Sequence, residues 1–178
     1  MHMRWLARNW PYIAMTLAIA AAVHVASVVY LPDLIMMRTM AKLAGAGGVN
    51  TMQHGARATQ ASRAVVRPSP DLLYSTCVYD LDKAGGRLRV HADGMPRTYW
   101  SVSAFDARTD NFYVLDDRHA QGGAFDVTLA GPQAAAHAGD IRSPTARGIV
   151  LVRTLIENEA RLAAVDAARR GAQCEPAK

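Results

Sequence analysis

Cysteine is scarce in this chain: its 178 residues contain two, which excludes a disulfide-rich scaffold and any zinc site built from four cysteines. Aromatic residues make up 7% and charged residues 20%, whereas hydrophobic residues make up 51%. This composition is too apolar for a disordered chain and too charged for a protein with many membrane spans. The length allows one modest domain and an extra segment.

The excess of basic residues is small once the amino-terminal part is set aside. The net charge is +5, and residues 1–32 hold two arginines and no acidic residue, so the remainder carries +3. Arg57, Arg63 and Arg67 lie in a stretch without stacking aromatic residues. A nucleic-acid partner is therefore not predicted.

Charged side chains are absent from Asn9 to Pro32, a run of 24 residues. About 20 apolar residues in a helix span the hydrocarbon core of a membrane. Trp10 and Tyr30 suit the two membrane interfaces. The alternative is a cleaved secretory signal, but the apolar run is longer than the apolar part of a typical signal peptide. We expect an uncleaved transmembrane helix over residues 10–31.

The short basic segment before this helix favours a cytoplasmic amino terminus. We therefore expect a cytoplasmic tail over 1–9, the span over 10–31, a short helix and tether over 32–69, and an extracytoplasmic domain over 70–178. The short helix, Leu34 to Leu43, either extends the anchor past Pro32 or lies on the membrane surface. Glycines at 45, 47 and 48 end it.

Residues 71–140 contain ten aspartates and no glutamate, a bias typical of strands joined by tight turns. Six apolar segments predict strands: Leu73–Leu81, Arg87–Ala92, Arg97–Phe105, Asn111–Leu115, Ala124–Leu129 and Gly148–Ile156. Short turns between them favour an antiparallel sandwich or a partial barrel. The expected fold is mainly β, with one transmembrane helix at the start and one helix at the end.

Two alternations indicate which side chains face the core. In the third predicted strand Trp100, Val102 and Ala104 alternate with Tyr99, Ser101, Ser103 and Phe105, and the first set is expected to face inward. In the carboxy-terminal helix, a stripe formed by Ile156, Ala160, Ala163 and Ala167 is expected to cover the sheet.

Arg153 interrupts an apolar strand and shares a face with Leu151 and Leu155. An unpaired guanidinium is costly in such a setting, so Arg153 is expected to bind a carboxylate, with Asp80 and Asp106 as candidates, or else a ligand.

Tyr74, Asp106 and Asn111 lie near strand ends, where a ligand-binding cleft could form with Arg153. The alternative for Asp106 and Asn111 is turn chemistry, in which they bond backbone groups around residues 107–110.

No catalytic residue, metal site or cofactor is predicted. The His and Asp clusters lack the spacing of metal ligands, and the serines lack the setting of a nucleophile elbow. Cys77 and Cys174 could form a disulfide in an oxidising compartment, and a lone buried thiol at Cys77 is the alternative.

Several ordered motifs resemble a bacterial family of domains of unknown function, number twelve fifty-four in its catalogue. They are Pro70–Ser75, Tyr79–Leu81, Tyr99–Val102, Asp106, Thr109–Phe112, Gly131–Pro132, Ile141–Thr145 and Val152–Ile156, and the resemblance covers roughly residues 33–175. It implies a β-rich domain exported across the bacterial inner membrane into the periplasm. In longer members a second β domain, number twelve fourteen, follows. Its absence here implies a separately encoded protein that carries it.

The sequence thus predicts a single-pass inner-membrane protein whose periplasmic β domain is an accessory or partner-binding subunit. The alternative is an enzyme or small-ligand binder that uses a cleft around Tyr74, Asp106, Asn111 and Arg153.

Overall fold

The computed structural model describes residues 2–63, 67–120, 123–135 and 137–177; Met1 and Lys178, the ends of the predicted tail and domain, lie outside this part. It contains helix α1 (His2–Ala44), helix α2 (Leu162–Arg169) and nine strands. The strands are β1 (Met52–His54), β2 (Leu72–Asp80), β3 (Arg87–Ala92), β4 (Trp100–Asp106), β5 (Asn111–Asp116), β6 (Phe125–Ala130), β7 (Ile141–Arg142), β8 (Arg147–Leu155) and β9 (Gln173–Pro176). The predicted fold class is confirmed.

The strands form two sheets that pack face to face. The five-stranded sheet has the order β1-β2-β8-β4-β5, and the four-stranded sheet has the order β7-β6-β3-β9. All pairings are antiparallel except β6 with β7. Apolar side chains from both sheets fill the space between them, with Trp100 at 5.5 Å from Phe125 between ring centroids. A core formed by the inward-facing side chains of two sheets is the arrangement expected of a β-sandwich.

The predicted alternation in β4 is confirmed. Trp100, Val102 and Ala104 belong to the core cluster. Because successive side chains point to opposite faces of a strand, Ser101 and Ser103 lie on the face of the five-stranded sheet that is turned away from the core. We call this the outer face.

Helix α1 is continuous from His2 to Ala44, through Pro11 and Pro32. The predicted helix at Leu34–Leu43 is therefore an extension of the long helix. Its stretch from Arg8 to Ala44 is long and apolar enough to cross a membrane, with a mean hydropathy of 2.0 in its most apolar window. Beyond Pro32 the helix packs on the outer face, where buried Met36 contacts Val78 and Ile149.

Part of the segment predicted as a tether forms a strand. Met52–His54 forms β1, which pairs with β2 from Cys77 to Ser75. Before it, the Asn50 side chain donates to the carbonyl of Asp80 at 2.9 Å and accepts from the Asp80 N–H at 2.8 Å. These bonds hold residues 50–54 against β2, although the Gly-rich and Ser-rich composition predicted a flexible tether here.

The predicted alanine stripe of the last helix is wrong. Ala160, Ala163 and Ala167 are exposed, and the buried positions of α2 are Val165 and Arg169. Val165 packs in a cluster with Leu73, Ile156 and Leu162. Valine and leucine bury more apolar surface than alanine, so they set the rotation of the helix.

The two sheets are joined covalently. Cys77 of β2 and Cys174 of β9 form a disulfide, and the two residues are 97 apart in sequence. Both belong to the core cluster. The bond therefore connects β2, an inner strand of the five-stranded sheet, to an edge strand of the four-stranded sheet.

Candidate functional site

The outer face carries a row of polar side chains that crosses four strands. The register aligns Tyr74 with Arg153, Arg153 with Ser101, and Ser101 with Asp116. The adjacent row contains Ser103, which is aligned with Leu151 on one side and Val114 on the other. The central strand β8 thus places Arg153 between a tyrosine and two serines.

The Arg153 guanidinium has few partners. Its Nη2 donates to the Oγ of Ser103 at 3.1 Å, and its Nε is buried without a hydrogen-bond partner among the described residues. Ser101 is 1% exposed, and its Oγ is likewise buried and unpaired. A guanidinium carries five N–H donors, and leaving them unpaired in a partly apolar setting is costly.

The carboxylates expected to pair with Arg153 are bound elsewhere. An Asp80 oxygen lies 3.2 Å from Arg147 Nε, and Asp106 Oδ1 accepts from the N–H groups of Arg108 at 2.7 Å and Asp110 at 2.9 Å. The predicted internal clamp is therefore wrong. The reason is register, since Asp80 and Asp106 align with Arg147 and Gly148 at the other end of β8.

Asp116 is the carboxylate of the same row, two strands away from Arg153, which is roughly 10 Å between backbones. Its Oδ1 lies 2.6 Å from His119 Nδ1 and accepts from the N–H groups of Arg118 and His119. The hydrogen bond from His119 lowers the pKa of Asp116. The turn that follows β5 therefore occupies this carboxylate.

Two exposed apolar side chains lie on the same face as Arg153, one in β5 and one just before β4. Outside α1, the large hydrophobic side chains that are exposed in the described part of the chain are Val114, at 57%, and Tyr99, at 43%. Both lie on the outer face, since their neighbours Leu115 and Trp100 pack toward the core. We call the set Tyr74, Tyr99, Ser101, Ser103, Val114 and Arg153 the Arg153 face.

The structure brings together two of the four predicted site residues. Tyr74 lies beside Arg153, and its hydroxyl accepts from the N–H of Ser69 at 2.9 Å. Asp106 is the last residue of β4, and Asn111 is the first residue of β5. The Asn111 amide, oriented to donate, reaches the carbonyls of Ala104 at 3.1 Å and Tyr113 at 2.9 Å. Turn chemistry therefore accounts for Asp106, whereas Asn111 bonds backbone carbonyls of β4 and β5.

Sequence reasoning assigned no role to Ser101, Ser103, Tyr99 or Val114. The alternation in β4 placed three of them on one face. Their proximity to Arg153 depends on β8 pairing with β4, and this pairing is not readable from local pattern.

A second polar cluster lies where α2 meets β2. The Arg169 side chain is 1% exposed and donates to the carbonyls of Tyr74 at 2.9 Å and Gly55 at 2.6 Å, as well as to Asp166 Oδ1 at 2.7 Å. These bonds satisfy the buried charge and tie three segments together. Arg169 is thus a structural clamp, in contrast to Arg153.

His54 belongs to the same cluster. Its Nδ1 lies 2.8 Å from the Oγ of Ser75, which also accepts from Arg169 at 3.1 Å. Burial lowers the pKa of His54 below its ordinary value, and the charges of Arg169 and Arg170 lower it further. Ser75 is 1% exposed, so the hydroxyl of this serine–histidine pair is shielded from solvent.

A cleft with a volume of about 720 Å³ lies beside residues 85–87 and 131–135. Its cation, Arg87, is held by Asp140 through two hydrogen bonds of 3.0 and 2.9 Å. A smaller cleft of about 530 Å³ is lined by Arg97, Tyr99 and Asp117, among others. In the described residues no group of three or more His, Cys, Asp or Glu could hold a metal ion.

Comparison with known families assigns this β-sandwich domain to a family. A family model described as "Protein of unknown function (DUF1254)" matches residues 49–176. The chain belongs to the DUF1254 family. The match begins within the loop before β1 and includes both sheets, the Arg153 face and α2. No curated protein matches the chain.

Two solved structures are similar to this DUF1254 chain. The crystal structure of the VPA0106 protein from Vibrio parahaemolyticus matches with a TM-score of 0.60 and 13% identity over 83% of this chain. The crystal structure of an uncharacterized protein from Burkholderia cenocepacia matches with a TM-score of 0.48 and 15% identity over 82% of this chain. The matches span 35% and 39% of those proteins, so this chain corresponds to little more than a third of their length. The Vibrio protein shares its fold.

Proposed function

We propose that this protein is a single-pass protein of the bacterial inner membrane, with a cytoplasmic amino terminus and a periplasmic β-sandwich that serves as an accessory, partner-binding subunit. The proposed partner is a separate protein that carries the companion β domain. The partner would dock on the Arg153 face, with an acidic side chain opposite Arg153 and apolar side chains opposite Val114 and Tyr99.

The proposal rests mainly on how few partners the Arg153 guanidinium has within the described residues. The half-buried Arg153 side chain lies on the outer face of the sheet, makes one hydrogen bond, and has no carboxylate partner in the described residues. Arginine is the side chain best suited to bind a carboxylate through two parallel hydrogen bonds. Exposed apolar side chains beside an arginine are typical of the centre of a protein interface.

Two further features support the location. The length and composition of α1 are those of a membrane span. The Cys77–Cys174 disulfide suits an oxidising compartment such as the periplasm, since structural disulfides are rare in the cytosol.

The test is purification of the tagged full chain from its native membranes in mild detergent, with quantitative mass spectrometry of what accompanies it. We expect a companion in stoichiometric amount that Arg153→Ala and Val114→Asp each remove. Truncating one member of a buried charge pair costs about 2–5 kcal/mol, or a loss of roughly 30-fold or more in affinity. Arg89→Ala is the matched control, because Arg89 forms a surface pair with Asp126 on the other sheet.

A photo-crosslinking residue at position 114 identifies what lies opposite this face. The proposal requires that the crosslinked peptide come from the companion and contain Asp or Glu. Recovery of the wild-type chain alone, or a companion that Arg153→Ala and Arg89→Ala retain equally, would refute it.

A second candidate function is binding of a small cationic ligand in the cleft lined by Arg97, Tyr99 and Asp117. The observation that favours it is the buried Oδ1 of Asp117, which has no hydrogen-bond partner in the described residues. An Asp117→Asn variant that loses binding of an amine found by ligand screening, while still folding, would support it. A single cleft around Tyr74, Asp106, Asn111 and Arg153 does not form, because Tyr74 and Arg153 lie at one end of the sheet and Asp106 and Asn111 at the other.

A further inference from the structure

The geometry points to a lipid-binding contact at the turn between β4 and β5: residues 107–110 lie in the headgroup layer of the membrane, and Arg108 binds a lipid phosphate. This inference rests on the proposed membrane anchor, but it concerns a different surface from the Arg153 face.

The contact of this turn with α1 gives its position. Thr109 lines a groove together with Ser27, Val28, Leu31, Pro32 and Ile35. The side chain of Arg108 approaches Asp33, with Nε and Oδ1 4.0 Å apart. The turn therefore lies beside the part of α1 where the apolar run ends.

The position of the membrane boundary on α1 follows from its length. The charge-free run from Asn9 to Pro32 has 24 residues, and about 20 residues span the hydrocarbon core. A centred core therefore ends near Tyr30. At a rise of about 1.5 Å per residue, Ser27 lies roughly 5 Å inside this boundary and Ile35 roughly 8 Å outside it. The groove beside Thr109 thus extends from the edge of the hydrocarbon core into the headgroup layer, which is about 5–8 Å thick on each side.

The backbone of α1 supports the same position for the membrane boundary. Pro32 has no N–H, so the carbonyl of Val28 loses its helical donor. Such a carbonyl is costly in hydrocarbon, whereas water and headgroups can satisfy it at the boundary.

The path of α1 across the sheet shows which edge of the sheet lies nearer the membrane. Its residues near Leu31 lie beside the β4–β5 turn, Met36 contacts β2 and β8, and the carbonyl of Ala44 accepts from Gln53 of β1 at 2.8 Å. The helix therefore runs from the β5 edge of the sheet to the β1 edge. In a membrane the β5 edge is the near side, and β1 lies four strand spacings, about 19 Å, farther away.

Arg108 is suited to a phosphate at this level. Its side chain is 54% exposed, and the distance to Asp33 is longer than a hydrogen bond. Its guanidinium makes no hydrogen bond to the described residues, so its donors are available. A guanidinium matches the geometry of a phosphate through two hydrogen bonds.

Fluorescence quenching by spin-labelled lipids tests the contact. The full chain with Thr109→Cys, labelled on that thiol and reconstituted in vesicles of phosphatidylethanolamine and phosphatidylglycerol, is expected to be quenched most by lipids labelled near the headgroup. Thr51→Cys, just before β1, is the matched control and should be quenched several-fold less. Equal quenching at the two positions would overturn the inference.

Further variants test the membrane anchor and the role of Arg108 separately. A label at Val23→Cys, in the middle of the span, should be quenched by deeply labelled lipids; if it is not, the membrane anchor itself fails. Quenching at Val23 without quenching at Thr109 rejects the lipid contact alone. Arg108→Glu should reduce quenching at Thr109, whereas Arg57→Glu, just after β1 at the far edge of the sheet, should not. Unchanged quenching in Arg108→Glu would overturn the phosphate role.

Discussion

The disulfide between Cys77 and Cys174 is expected to supply a large part of the stability of the sandwich. The loop it closes spans 97 residues. In the chain-entropy model a closed loop of this length restricts the unfolded chain by about 4.7 kcal/mol at 25 °C. Domains of this size have a total stability of about 5–15 kcal/mol. Loss of the bond should therefore leave the sandwich close to its unfolding threshold.

The measurement is urea unfolding of the full chain in detergent micelles, followed by the fluorescence of Trp100. This residue is 1% exposed in the core, and Trp5→Phe with Trp10→Phe removes the two tryptophans of α1. Cys77→Ala combined with Cys174→Ala should lower the free energy of unfolding by about 4–5 kcal/mol. Reduction of the wild-type chain by a thiol should give nearly the same loss without removing the sulfur atoms.

Comparing the two losses separates the bond from packing. If the reduced wild-type chain loses less than about 1 kcal/mol, the entropic reasoning is refuted. If only the double variant is destabilised, the lost volume of the two buried side chains is responsible instead.

Three other predictions use the same unfolding measurement. Arg169→Met should cost about 3–5 kcal/mol, because it removes the side-chain donor to the Gly55 carbonyl, one of the two donors to the Tyr74 carbonyl, and the ion pair with Asp166; a loss within experimental error would contradict the clamp. Gly148→Ala should cost about 3 kcal/mol or prevent folding, since a methyl group there overlaps the carbonyl of Phe105 and the hydroxyl of Tyr79; normal stability would disprove the overlap. Because the pKa of His54 is lowered in the folded state, the unfolded chain binds this proton more readily, and stability should fall as pH decreases below about 6.5. His54→Gln should flatten that fall and the exposed His137→Gln should not; identical pH profiles would exclude His54 as a cause.

The strands of the sandwich were largely predictable from local pattern. The six predicted strands correspond to β2, β3, β4, β5, β6 and β8. Strands of two to four residues, such as β7 and β9, bury too few side chains to leave an alternating pattern. They form because a neighbouring strand offers them unpaired backbone groups.

The candidate site was less predictable, because it depends on which strands are neighbours. The sequence showed that Arg153 lies on an apolar strand face, and this was sufficient to single it out. Its partner was mispredicted, because Asp80 and Asp106 lie five or six residues from it along β8, roughly 17–20 Å away. Ser101 and Ser103 come to lie beside Arg153 only through the pairing of β8 with β4.

The unbroken course of α1 makes the orientation of the sandwich depend on the thickness of the membrane. Helices longer than the hydrocarbon core respond by tilting, by about 20° on average. Since the same helix is packed on the sheet through Met36, a tilt of this size carries the whole sandwich with it. A point about 30 Å from the membrane then moves sideways by about 10 Å. A bilayer of different lipid composition would thus present the Arg153 face at a different height and angle to anything that approaches along the membrane.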